Sequence, residues 1–296
     1  MIKDILKKNR PNLGETSINT YSSIIKNLYK KLTQKDDYDN ATNYFENNVD
    51  AVLEFLKDIP SSRRKTTLAS VVVFLGDTKV KQYRDLMIKD ATIYNNSMKE
   101  QKKNGKETKN WITEDEIHKK YTNMEKDIRH LWNKKDLTNT EMNRLMDYVI
   151  LSLYIRIPPR RLMDYIKFKV RNIDEEKDNF MKKQQFIFNQ YKTEKYYGKQ
   201  EIPITIQLKN IIQRWSKKHD NDYLIFDIKT GNQFTAPKLT QRLNSIFDNK
   251  KISVNMLRHI FITENVLKDM PKLLELQAIA TNMGHSIGQQ ALYKKD

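Results

Sequence analysis

The side chains with chemical potential gather in four stretches of the second half of the chain. Pro158-Pro159-Arg160-Arg161-Leu162-Met163-Asp164 sets two guanidiniums after a pair of prolines, with a carboxylate three positions beyond the second. Tyr191-Lys192-Thr193 carries an ammonium in a polar connection that also holds Lys195 and Lys199. Asn255-Met256-Leu257-Arg258-His259 strings an amide, a guanidinium and an imidazole along about one helical turn, and Met283-Gly284-His285-Ser286 precedes Tyr293. Each has an ordinary reading when taken singly. An arginine at a helix start is usually a solvated cap-region residue, and a lysine run is usually a wet turn. An arginine after two apolar residues usually makes a structural ion pair, and His259 alone is a packed helix residue. Tyr293 is one of 15 tyrosines. As a set they suit an anionic ester, because guanidinium forks match phosphate geometry better than lysine does.

Composition removes competing chemistries. With no cysteine there is no disulfide framework, thiolate zinc site, iron–sulfur cluster or cysteine nucleophile. The seven glycines form neither a Walker loop nor a GxGxxG fingerprint. Asp36-Asp37 and Asp174-Glu175-Glu176 read as solvated loops rather than metal ligands. No apolar run approaches the ~20 residues that cross a bilayer, and Met1-Ile2-Lys3-Asp4 does not begin a signal peptide. A soluble, intracellular protein is expected. The formal charge of +17 attracts polyanions, of which nucleic acid is the commonest. The basic residues are dispersed rather than collected on one amphipathic helix, which disfavours a membrane surface.

Positioning these groups requires a mainly α fold with a small antiparallel β-sheet (α+β). Ile18, Tyr21, Ile25, Leu28 and Leu32 recur at helical spacing after Thr16/Ser17, which can cap that helix. A short helix around 49–57 ends at Pro60, and an apolar run over 71–75 is closed by Gly76. Val80, Tyr83, Met87, Ala91, Tyr94 and Met98 make the cleanest stripe. Residues 99–110 are polar and lysine-rich, so the expected division is a helical domain over 1–104, a linker over 105–112 and a mixed domain over 113–296. Thr113 and Glu116 form a capping box. Met142, Leu145, Val149 and Leu153 stripe a helix that ends at Pro158-Pro159. Strands are expected over 185–190 and 201–206, joined by a connection containing Gly198, with a third at 223–226. Helices resume over 208–218, 235–248 (Thr235 cap, Pro237 in the first turn), 253–268 and from Pro271.

Taken in order, the four stretches resemble the tyrosine recombinase family, the phage-integrase type of site-specific DNA recombinase. Arg161 with Asp164 matches the family's arginine and following acidic residue, and Lys192 its hairpin lysine. Asn255-Met256-Leu257-Arg258-His259 is close to its His-x-Leu-Arg-His, and His285 and Tyr293 complete the order. The resemblance covers most of the second domain. The IPPRR and YKT segments are similar in style to recombinases of virophages and large DNA viruses. The resemblance implies an N-terminal core-binding domain that clamps DNA and a C-terminal catalytic domain, acting as a homotetramer on two sites in double-stranded DNA. No cofactor, metal, ATP, membrane or small-molecule substrate is implied. Tyr293 would attack the scissile phosphate to give a 3′-phosphotyrosine, with Arg161 and Arg258 clamping the non-bridging oxygens. Lys192 would protonate the leaving 5′ oxygen, and His285 would donate to the phosphate or help deprotonate the tyrosine. Asn255 stands where the family usually has histidine, and an amide cannot act as an acid or base near neutral pH. Three residues follow Tyr293, so either subunit contacts use another element, such as the tyrosine helix, or the natural chain continues further.

DNA-contacting candidates are Arg63, Arg64 and Lys65, which follow Ser61-Ser62 at a helix N-terminus where backbone amides favour phosphate, together with Arg160, the register alternative to Arg161, and His259. Two other readings use the same residues. A type IB topoisomerase shares the tyrosine chemistry without needing a defined site. A DNA-binding protein with a decayed active site would count Asn255 as its first loss. A metal-dependent nuclease or transposase fits less well.

Overall fold

In the computed structural model, which describes residues 1–76, 80–283 and 286–288, the chain divides into two compact units. Met1–Lys102 together with the segment from Pro271 forms one, and Lys103–Met270 the other.

The first unit is helical. Its helices are α1 (Ile2–Asn9), α2 (Glu15–Thr33), α3 (Ala41–Asn47), α4 (Val49–Leu56), α5 (Ser61–Leu75) and α6 (Lys81–Lys99). The last turn of α5, over 71–75, is buried all round, which makes α5 the central helix, packed on α1, α2, α3 and α6. Helices α1 and α3 escaped the sequence reading because each is under ten residues and largely polar outside. The expected cap at Thr16/Ser17 is displaced: Gly14 is the N-cap of α2, and its carbonyl accepts from the Ser17 N–H at 2.9 Å. The stripe on α6 is buried only near its start, with Tyr83 inside and Met98 exposed.

In the second unit the expected linker is partly helical. Asn104 accepts from the N–H groups of Lys106 and Glu107, both at 3.0 Å, and Glu107 accepts from the Asn104 N–H at 2.9 Å. This Asn-x-x-Glu box starts α7 (Gly105–Asn110). Thr113 caps α8 (Glu114–Ile128) by the predicted box with Glu116, and a 3₁₀ turn over Arg129–Asn133 follows. Helix α9 (Asn139–Ile155) buries nine residues, among them Leu145, Val149 and Leu153, and is the unit's central helix. Pro158-Pro159 separates it from the short α10 (Leu162–Ile166).

Four strands follow: β1 (Phe168–Lys169), β2 (Asn179–Lys182), β3 (Gln185–Phe188) and β4 (Gln200–Pro203), with α11 (Glu194–Tyr197) between the last two. The sheet order is β1-β2-β3-β4. β2–β3 and β3–β4 are antiparallel, but β1 pairs parallel with β2, so the sheet is mixed rather than antiparallel. Its first two strands were missed because they are two and four residues long and flank the charged loop at 174–178. The expected third strand, 223–226, makes only isolated bridges from Tyr223 to Lys169 and from Phe226 to Gln233. Phe168, Phe186, Phe188 and Tyr165 pack edge-to-face beneath the sheet.

Helix α12 (Ile206–Ser216), α13 (Ala236–Ile246, capped by Thr235) and α14 (Val254–Phe261) complete the unit. Helix α14 runs into a π-helical turn, Ile262–Val266, rather than continuing to 268 as an α-helix. Helix α15 (Leu273–Asn282) groups with the first unit, where its first N–H donates to the Gln101 side chain at 2.6 Å. Among the described residues no helix is long and apolar enough to cross a membrane.

Candidate functional site

Three elements of the second unit meet at a cavity of about 350 Å³. The segment between α9 and α10 brings Arg160 and Arg161, α14 brings Arg258, and the β3–β4 connection brings Tyr191, Thr193 and Tyr197. The local reasons lie in the chain. Pro158-Pro159 holds an extended backbone, so Arg161 (φ −70°, ψ 150°) becomes the N-cap of α10 while its carbonyl accepts from the Asp164 N–H at 3.1 Å. On α14, Val254, Met256, Leu257 and Ile260 go into the core, which turns the half-buried Arg258 to the cavity. Ser253 fixes the start of that helix, its hydroxyl accepting from the Met256 N–H at 3.2 Å.

The three arginines are not equivalent. Arg160 is held on all sides. Its Nε donates to Asp164 Oδ2 at 2.9 Å and an Nη to Gln200 Oε1 at 2.9 Å, while the guanidinium lies 4.0 Å from the ring centre of Phe188 and 5.4 Å from that of Tyr191. Arg161 and Arg258 make no side-chain hydrogen bond or ion pair among the described residues. The one carboxylate lining this cavity, Asp164, is paired with Arg160, so an anion entering it meets two further guanidinium forks with no bond of their own among the described residues. Asp164 is nearly buried. Burial raises its carboxyl above the usual range, against the lowering influence of Arg160 and Arg161, and its Oδ1 has no hydrogen-bond partner.

The β3–β4 connection is pinned by groups that no local pattern announces. Asn179, fully buried at the start of β2, donates to the Asp164 carbonyl at 3.0 Å and the Gln190 carbonyl at 2.8 Å. Its Oδ1 accepts from the N–H groups of Asn189 (2.9 Å) and Gln190 (2.8 Å). Tyr191 donates through its hydroxyl to the Gly198 carbonyl at 2.6 Å, and its N–H donates to Glu194 at 3.0 Å. Gly198 turns at φ +61°, a conformation costly for other residues. Lys192 is exposed between two cavity-lining residues and does not itself line the cavity.

The remaining candidates are dispersed. Asn255 is exposed one turn before Arg258 and does not line the cavity. His259 is half exposed, with Nδ1 3.3 Å from Glu107 Oε1. His285 and Tyr293 lie outside the described residues. In the first unit Arg64 is bound to the fully buried Asp90 through Nε (2.7 Å) and an Nη (2.8 Å), and to the Lys57 carbonyl at 2.8 Å. The Lys65 ammonium lies 3.0 Å from the ring centre of Tyr94. Arg63 is exposed and, among the described residues, makes no side-chain bond. No group of three histidine or carboxylate side chains among the described residues is arranged to hold a metal ion.

Comparison with family models, with curated proteins and with solved structures found no match to this chain.

Proposed function

We propose that the protein is a site-specific DNA recombinase or integrase that cuts and rejoins strands through a 3′-phosphotyrosine. The observation that carries this reading is the meeting of Arg161 and Arg258, from elements far apart in the chain, in one cavity with no partner for either fork among the described residues. In the reaction, the Tyr293 oxygen attacks phosphorus as its proton passes to His285, the phosphorus–5′-oxygen bond breaks, and the leaving oxygen takes a proton from Lys192. The new ester keeps the energy of the old one, so the second strand's hydroxyl can reverse the step. Arg161 and Arg258 hold the two non-bridging oxygens where charge accumulates. Asn255, beside Arg258 on the same helix face, adds a neutral donor. Arg160 acts through the protein, locking α10 to β4 and to the connection that carries Lys192. The two further readings, topoisomerase-like relaxation and DNA binding without chemistry, differ in whether a defined site is needed and whether a covalent adduct forms.

The test is incubation with nicked duplexes whose cleaved fragment diffuses away. Covalent protein–DNA adduct is expected in the presence of EDTA, and Tyr293→Phe is expected to abolish it while DNA affinity stays nearly constant. An adduct of unchanged yield in that variant removes Tyr293 from the role.

A further inference from the structure

The β3–β4 connection presents two aromatic rings that the reaction outlined above does not use. Tyr196 is 85% and Tyr197 70% exposed, the two highest values among the large hydrophobic side chains left in water. Neither phenol has a hydrogen-bond partner among the described residues. They are not on a loose loop. Asn179 holds one end of the connection, the Tyr191–Gly198 bond closes it, and Glu194 at the first position of α11 is tied back to the Tyr191 N–H. Tyr191 itself is spent on that frame, beneath Arg160. Tyr197 also lines the cavity shared by Arg161 and Arg258. Lys192 and Lys195, exposed and without partners among the described residues, precede the pair in the same connection.

Exposed rings on a pinned connection, next to a cavity lined by three arginines, form the kind of platform on which nucleic acid bases stack. The faces of paired bases inside a duplex are already covered by their neighbours. The rings therefore gain contact only where bases are unpaired or unstacked. We infer that Tyr196 and Tyr197 stack on unpaired DNA bases adjoining the phosphate held by Arg161 and Arg258, so that the protein prefers a locally melted duplex to a fully paired one. This inference rests on the DNA-directed reading of the cavity given above.

Fluorescence anisotropy with a fully paired duplex and the same duplex carrying a short central mismatched bubble tests it. The wild-type protein is expected to favour the bubble by about fivefold or more, the lower end for a single base–aromatic stack. Replacing both tyrosines by alanine should reduce that preference to about twofold or less while leaving affinity for the paired duplex little changed. Tyr196→Phe with Tyr197→Phe should keep it, because the ring rather than the hydroxyl makes the contact. Equal wild-type affinity for the two duplexes, or an alanine pair that keeps the preference, overturns the inference and leaves the proposed function standing. Failure of the wild-type protein to bind either duplex overturns both. An alanine pair that changes the oligomeric state in light scattering, with the bubble preference intact, assigns the rings to a protein contact and also overturns it.

Discussion

Arg160 and Arg161 are neighbours that the fold sends to opposite tasks. Nothing in the sequence separates them, since both follow two prolines and both precede an acidic residue at helical reach. The separation comes from β4 and β3, which supply Gln200 and the Phe188 ring to one of them only. Their replacements should therefore fail differently. Arg160→Ala strands the Asp164 carboxyl, whose side chain is 3% exposed, and should cost on the order of 3 kcal/mol in urea unfolding. Arg161→Ala and Arg258→Ala break no side-chain hydrogen bond or ion pair among the described residues. Stability should stay within about 0.5 kcal/mol, while single-turnover cleavage of DNA drops by at least about 100-fold. Arg258 was singled out by its likeness to a family motif, since an arginine after two apolar residues ordinarily makes a structural ion pair; among the described residues it makes none. Asn179 was invisible: an asparagine in a short polar-flanked segment carries no mark of the four bonds it makes.

At the scale of elements, what the sequence made readable was whatever local chemistry dictates. The Thr113 box, the Thr235 cap and the stripe of α9 stand as expected, since each depends on residues within a turn or two. β1 and β2 depend instead on partners across the sheet, and the charged loop at 174–178 between them hides both from a reading by periodicity. Asn179→Ala should loosen the joint these strands make with the β3–β4 connection. A loss on the order of 2 kcal/mol is expected, with hydrogen exchange at the Asn189 and Gln190 amides speeding up well before exchange in α9. The same logic divides the basic triplet of α5. Arg64→Ala should destabilise the first unit by about 3 kcal/mol, since it abandons the buried Asp90. Arg63→Ala should leave stability intact and reduce the slope of log K for DNA against log salt by about 1. Three adjacent cations looked alike in sequence, and the tertiary positions of Asp90 and of the Tyr94 ring distinguish them.

Over the whole molecule, charge and pH act together. A net charge of +17 draws the chain to any polyanion, and that pull weakens with salt, so affinity alone is a poor witness of site-directed chemistry. Acid acts through the second unit. His219 packs against Trp215 and Phe226, and burial, with Arg171 nearby, lowers its pKa to about 4 from 6.5. As pH falls below 6.5 the unfolded chain takes up a proton that folded His219 refuses, so stability is lost progressively toward pH 4. Asp147, raised to about 6 by burial despite its pairing with Arg242, works in the opposite sense and stabilises as pH falls through that value. The difference between variants isolates the histidine. His219→Phe should show a flatter fall in Tm across this window than the wild type, and parallel curves would remove His219 as a cause.

The central claim is that Arg161 and Arg258 hold the two non-bridging oxygens of one scissile phosphate. The most direct measurement compares single-turnover cleavage of a normal substrate with one whose scissile linkage is a methylphosphonate, which is neutral and lacks one of those oxygens. If the forks act on that charge, the cost of Arg161→Ala or Arg258→Ala should shrink for at least one of them, from about 100-fold or more on phosphate to less than about tenfold on the neutral linkage. Losses of equal size on both linkages, or full activity of both variants on the normal phosphate, would contradict it.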